Sequence, residues 1–242
     1  MSAGGGNVLI EARGVTRILP GIVPVTLVHD IDLAIGANEF VAITGPSGSG
    51  KSSLLYLLGL LDLPTAGEIL IRGRATAQMD EDERAMTRLA TLGFVFQFHF
   101  LLPEFTVLEN VTLPMRALGL LAPAAMRERA GMLLESLGLS DHINKRPDQL
   151  SGGQRQRVAV ARSLANDPPV ILADEPTGSL DSQASEQVFR ILRDLVDSGT
   201  KTVVAVTHDL DLAARMDRRV QLADGAIVGA AALAPTPAPT QD

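Results

Sequence analysis

The stretch Gly45-Pro-Ser-Gly-Ser-Gly-Lys51-Ser52 fits the pattern G-x-x-x-x-G-K-[ST], and its surroundings are those the pattern needs. An apolar run, Phe40 to Ile43, precedes it and a helical pattern, Ser53 to Leu61, follows it. Strand, tight loop and helix in that order make a phosphate cradle. Glycines allow the backbone to fold so that successive N–H groups point inward, and the helix that follows adds the positive end of its dipole. Gly45, Pro46, Ser47, Gly48, Ser49, Gly50, Lys51, Ser52 and Ser53 are therefore the candidate nucleotide-binding residues. Lys51 supplies a point charge toward the outer phosphates, and the Ser52 hydroxyl is placed to coordinate Mg²⁺.

Working outward, further short β-rich runs alternate with helical patterns: Val8 to Ala12, Glu39 to Thr44, Glu68 to Ile71, Gly93 to Phe96, Val170 to Ala173, Thr202 to Thr207 and Val220 to Ala223. That alternation predicts an α/β fold with a mostly parallel sheet. From Phe98 to Asp167 strand signals vanish and helical ones dominate, which predicts a helical insertion. Val188, Ile191, Leu192 and Leu195 form a stripe, with Glu186, Arg190 and Arg193 expected on a solvated face. The ends are low in complexity, so residues 1–7 and 230–242 are expected to be flexible tails around one domain, 8–229.

Composition excludes several function classes. Lys plus Arg number 21 against 28 for Asp plus Glu, a net charge of −7, the wrong sign for a general nucleic-acid binder. No cysteine is present, which removes disulfides, thiol catalysis and Cys-based zinc sites. No stretch reaches the roughly 18 apolar residues of a membrane span. Membrane work would require another subunit as anchor.

A second acid site follows the apolar run Val170-Ile-Leu-Ala, which ends in Asp174-Glu175. A buried parallel strand delivers such residues to the carboxyl edge of its sheet, where ligands bind. Asp174 would hold Mg²⁺ or its water, and Glu175 would orient and partly deprotonate the water that attacks the terminal phosphate. A helix-capping role is the simpler alternative for such acids. A third element, Leu150-Ser151-Gly152-Gly153-Gln154, opens another helix with a capping serine and free N–H donors. It too suits an anion, yet the phosphate already has one cradle in this chain.

With these motifs in this order, the sequence resembles the ATP-binding cassette (ABC) ATPases, whose signature is Leu-Ser-Gly-Gly-Gln, from about Val8 to Val228. The resemblance implies a P-loop NTPase (RecA-like) core with a mixed, mostly parallel sheet, an N-terminal antiparallel β region and a helical subdomain at about 98–167. Gln97 looks like the Q-loop glutamine, Ser179-Leu180-Asp181 like the D-loop, and His208 like the switch histidine. It further implies ATP and Mg²⁺ as cofactors and a homodimer closed head to tail around two ATP. Ser151, Gly152, Gly153 and Gln154 would then meet the γ-phosphate held by the partner chain. Glu175, His208 and Gln97 would be catalytic, with Ser52, Gln97 and Asp174 toward the metal.

Phe96-Gln-Phe-His-Phe-Leu-Leu-Pro-Glu-Phe-Thr-Val-Leu-Glu-Asn-Val-Thr-Leu-Pro114 narrows the resemblance to the lipoprotein-release and macrolide-efflux branch. This implies integral membrane permease subunits, met through Phe98 to Pro114, with the ATPase on the cytoplasmic face of the inner membrane. An ATPase serving a regulatory membrane complex of the cell-division type is the alternative. A small-molecule kinase would need neither the signature nor His208, and nucleic acid is not an expected partner. One departure stands out: Ile18 occupies the position where the family often stacks an aromatic on adenine, so aliphatic contact is expected there.

Overall fold

The computed structural model describes residues 8–232. Its central strands are buried on both faces, which is why they read as uninterrupted apolar runs. In β3 (Phe40–Thr44), Phe40 and Ala42 enter one core and Val41 and Ile43 the other. The same alternation divides Ile171 and Ala173 from Val170 and Leu172 in β7 (Val170–Asp174). It also divides Val203 and Ala205 from Val204 and Val206 in β8 (Thr202–Val206). With β6 (Leu92–Phe96), β9 (Arg218–Ala223) and β10 (Ala226–Ala232), these strands form a six-stranded sheet of order β10-β9-β3-β8-β7-β6. Only the β9–β10 pair is antiparallel.

A second, antiparallel sheet of order β2-β1-β4-β5 comprises β1 (Val8–Leu19), β2 (Val25–Gly36), β4 (Ala66–Ile71) and β5 (Arg74–Ala75). Helix α1 (Lys51–Leu58) shares one core with both sheets, and its Leu54, Leu55, Leu57 and Leu58 are almost fully buried. After the short polar α2 (Glu81–Thr91), the insertion supplies α3 (Val107–Leu118), α4 (Pro123–Ser136) and α5 (Gly152–Ser163). These share the opposite core with α6 (Ser182–Asp197), through residues such as Val111, Leu134, Val158 and Leu192. A four-residue helix, α7 (Leu210–Ala213), follows β8.

The predicted α/β class, mostly parallel sheet, antiparallel N-terminal region and helical insertion are all present. Several expectations need correction. Strand β2 is absent from the predicted set, because Asp30 (φ 49) interrupts its alternation and shifts the phase from Val28 to Ile31, Leu33 and Ile35. Strand β10 runs to Ala232, three residues into the expected tail, because an Asp224-Gly225 turn with both φ positive folds it back on β9. The rest of that tail, like residues 1–7, lies outside the described residues. Arg193 is not a solvated charge: it pairs with Asp217 at 2.8 Å and covers the Phe40 ring.

Parallel register sets the functional edge. Phe96 lies opposite Asp174, and Asp174 and Ile43 both lie opposite Val206. Gln97, Glu175, His208 and Gly45 therefore leave the sheet at one edge, where ligands of open α/β sheets bind. No described helix is long and apolar enough to cross a membrane.

Candidate active site

At that edge, the loop from Gly45 to Gly50 turns β3 into α1 around a cleft of about 590 Å³. Gly50 has φ 93, and a Cβ there would run into the carbonyl oxygen of Leu27, so the loop can close against β2 only with glycine. Lys51 is 8% exposed, and its Nζ donates to the carbonyls of Gly45 (2.9 Å) and Pro46 (2.7 Å). Among the described residues no carboxylate pairs with it. A buried ammonium with only neutral partners favours an incoming anion. Gly45, Ser47, Gly48, Gly50, Lys51, Ser52 and Ser53 line the cleft, and Glu175 and His208 line it as well.

Asp174, also 8% exposed, closes β7. Its Oδ1 accepts a hydrogen bond from Ser52 Oγ (2.9 Å) and its Oδ2 one from Tyr56 OH (2.8 Å). Burial, reinforced by that bond to Asp174, pushes the Tyr56 hydroxyl up to about 12. Ser52 and Asp174 thus present two adjacent hard oxygens, a donor set that fits Mg²⁺. No group of three His, Asp or Glu side chains converges among the described residues, so a cation here would draw its remaining ligands from phosphate and water.

Glu175 sits in the left-handed region (φ 46), held by its N–H to the Val206 carbonyl and its own carbonyl to the Gly178 N–H. Backbone in that region is costly for a non-glycine residue and collects at functional sites. Its Oε2 lies 3.1 Å from His208 Nδ1. A Cβ on Gly178 would stand 3.0 Å from Gln97 Nε2 and 3.1 Å from Glu175 Oε2, so the Gln97 and Glu175 side chains flank one glycine. Gln97 makes no side-chain hydrogen bond to Ser52 or Asp174.

The signature lies elsewhere. Ser151 Oγ accepts from the Gln154 N–H (3.2 Å) and Gln154 Oε1 from the Ser151 N–H (2.9 Å), a capping box that opens α5. None of Ser151, Gly152, Gly153 and Gln154 lines the Lys51 cleft. Residues Ser179, Leu180 and Asp181 join the two regions. Leu180 approaches Gly152, Ser179 Oγ donates to the Gln97 carbonyl (3.1 Å), and Asp181 caps α6.

Three residues were missed by sequence reasoning. Tyr56 is one. Gln156, fully buried, donates from Nε2 to the carbonyls of Phe96 (3.1 Å) and Pro176 (2.7 Å), and Arg162 donates to those of His99 and Phe100 (both 2.7 Å). Helix α5 therefore grips the segment around Gln97 from both sides. Ile18 does not line the cleft; Val25, Thr26 and Leu27 of β2 form its wall there. In the segment Phe98 to Pro114, Phe98, Phe100 and Leu102 are exposed, while Leu101 and Phe105 are half-buried.

The ABC transporter family profile matches residues 28–178. The chain is 51% identical over 220 residues, 90% of its length and 92% of the relative's, to the lipoprotein-releasing system ATP-binding protein LolD of Anaeromyxobacter dehalogenans (strain 2CP-C). The chain belongs to the ABC transporter family. It is an ATP-binding, ATP-hydrolysing cassette, the subunit that powers such a transporter. LolD 1 of Chlorobium chlorochromatii (strain CaD3) is 48% identical over 202 residues, 84% of this chain and 82% of that protein. Two structures of the ATP-binding cassette MJ0796 match with TM-score 0.87, covering 94% of this chain and 100% of theirs. One, at 41% identity, is a dimeric post-hydrolysis state bound to ADP and Pi, and the other, at 42%, is described as a dimeric bacterial ABC transporter cassette.

Proposed function

We propose that two copies of this cassette close head to tail around two ATP molecules, and that hydrolysis reopens them to drive a membrane complex that releases lipoproteins. The observation that carries this reading is the mismatch between anion-seeking helix starts and clefts. Among the described residues two glycine-opened helix starts of this kind stand at Lys51 and at Ser151, and of these the first lines the cleft with Glu175 and His208. An exposed, glycine-opened helix start with no phosphate of its own suits one presented by a second copy. The MJ0796 dimers support the assembly, and the LolD relatives support the cargo.

In this reading Gly45 to Ser53 wrap the phosphates, and Lys51 turns from its loop carbonyls toward the terminal one. Ser52 and Asp174 would hold Mg²⁺, which would supply charge neutralisation on the phosphates. Glu175 accepts a proton from the attacking water, His208 steadies Glu175 and the terminal phosphate, and Gln97 senses their occupancy across Gly178. Ser151, Gly152 and Gly153 of the other copy close the site. Shifting a pair from mostly open to mostly closed takes about 5.5 kcal/mol of differential binding. Charge-assisted hydrogen bonds contribute roughly 1.5–3 kcal/mol each, so two or three per site suffice after ordering costs. Loss of the terminal phosphate removes them.

The membrane partner would meet Phe98 to Pro114. Beside that segment lies an apolar cavity of about 430 Å³, lined by Leu61, Leu89, Phe94, Phe96 and Pro114 among others, suited to an apolar helix of the partner. A cassette held this way sits peripherally, on the cytoplasmic face of the membrane. Glu175→Gln tests the core of the reading: in saturating ATP and Mg²⁺ it should hydrolyse very slowly and elute as a dimer by light scattering. A monomer under those conditions contradicts it.

A further inference from the structure

Both oxygens of the Asp174 carboxylate are taken by hydroxyls of α1, one by Ser52 and the other by Tyr56, four residues and one helical turn apart. A carboxylate turns easily about its terminal torsion, which has only broad preferences. Two donors on one helix face fix its plane. The Tyr56 ring is itself held: Phe96 meets it edge-on at 6.4 Å between centroids, and Phe96 stacks on Phe94 at 5.9 Å with the rings 7° apart. The ring thus forms a rigid strut between the residue preceding Gln97 and the far side of Asp174.

We propose that Tyr56 is a positioning residue for the metal-bound nucleotide: its hydroxyl pins Asp174 Oδ2 so that Oδ1 stays turned toward Ser52 and the Mg²⁺ those two oxygens would hold. This rests on the reading that Ser52 and Asp174 hold the metal. Packing alone explains a ring against Phe96 but not a phenol oxygen 2.8 Å from a buried carboxylate oxygen. The carboxylate is acceptor-only when ionised, so the hydroxyl is committed as donor to Asp174. Without it, the carboxylate gains orientations in which Oδ1 leaves Ser52, and the metal pays for reordering it.

Tyr56→Phe keeps the ring and removes only the hydroxyl. ADP binding to the whole chain is measured by calorimetry across a magnesium series and again in EDTA. Outer partners of metal ligands typically change metal affinity about 10- to 100-fold. We expect the magnesium concentration for half-maximal tightening of ADP binding to rise about 10-fold, with metal-free ADP affinity unchanged. An unchanged magnesium half-point overturns the inference, and so does equal loss of metal-free binding, which marks a structural role.

The chain has one tyrosine and no tryptophan, so the tyrosine emission of the unmodified protein reports on the surroundings of this one phenol. It should change when magnesium is added to the ADP complex. Should Tyr56→Phe not fold, this signal decides, and an emission indifferent to magnesium overturns the inference. If the unmodified chain binds ADP equally with and without magnesium, the reading of Ser52 and Asp174 fails first. If magnesium tightens binding equally in both proteins, only the role of Tyr56 fails.

Discussion

Lys51 carries a buried charge whose partners are two carbonyls of its own loop, an arrangement that is tolerable alone and favourable once phosphate enters. Lys51→Ala should weaken ATP binding about 10- to 100-fold, the worth of one charge-assisted bond, and equilibrium dialysis that finds unchanged affinity would remove Lys51 from this role. At this scale the sequence was informative where a spacing rule carries the chemistry. Gly45 to Ser52 could be read because consecutive residues build that cradle, and Asp174-Glu175 because a strand end delivers them together. Tyr56 and Gln156 could not. Each resembles ordinary filling of a helix, and their importance depends on Asp174, Phe96 and Pro176, which come near only after the sheet has assembled.

Among the elements, α6 shows how a charged face can be structural. Glu186 accepts two bonds from Arg215 (2.7 and 2.9 Å) and one from Arg190 (2.9 Å), and Arg215 also lies 4.2 Å over the Phe189 ring. The Arg215 guanidinium leads in pulling the Glu186 carboxyl down from 4.5 to about 2, against the opposing effect of burial. A depressed pKa contributes stability above the unfolded value that is lost as pH falls through the folded one. Thermal melts of the unmodified chain and Glu186→Gln should therefore differ at neutral pH and converge between pH 4.5 and about 2. A gap that persists at pH 2 would contradict the ion pair's contribution. Elements with strong periodicity were legible, and those hidden by local backbone chemistry were not. The phase shift at Asp30 concealed β2, while α2, with no buried residue, was signalled by its Asp80 and Glu83 capping box and by an acidic first turn that went unread. The Asp224-Gly225 turn was a readable hairpin signal for β10.

For the whole molecule, each nucleotide site is proposed to be completed by a second copy. Helix α5 links the relevant parts within one chain: its start carries Ser151, Gln156 bonds the carbonyls beside Gln97 and Glu175, and Arg162 holds the loop that leads to the exposed Phe98 and Phe100. A phosphate that engages Ser151 from outside would thus be felt at Gln97 and at the surface proposed for the membrane partner. Because the chain has no cysteine, the geometry can be read without background. The most direct measurement mixes two differently tagged Glu175→Gln chains, one carrying Ser47→Cys and the other Ser151→Cys, both at exposed positions, and adds a short bifunctional thiol reagent with ATP and Mg²⁺. The account predicts ATP-dependent products that always join position 47 of one chain to position 151 of the other. Products joining 47 to 47 or 151 to 151, or no ATP-dependent product at all, would contradict it.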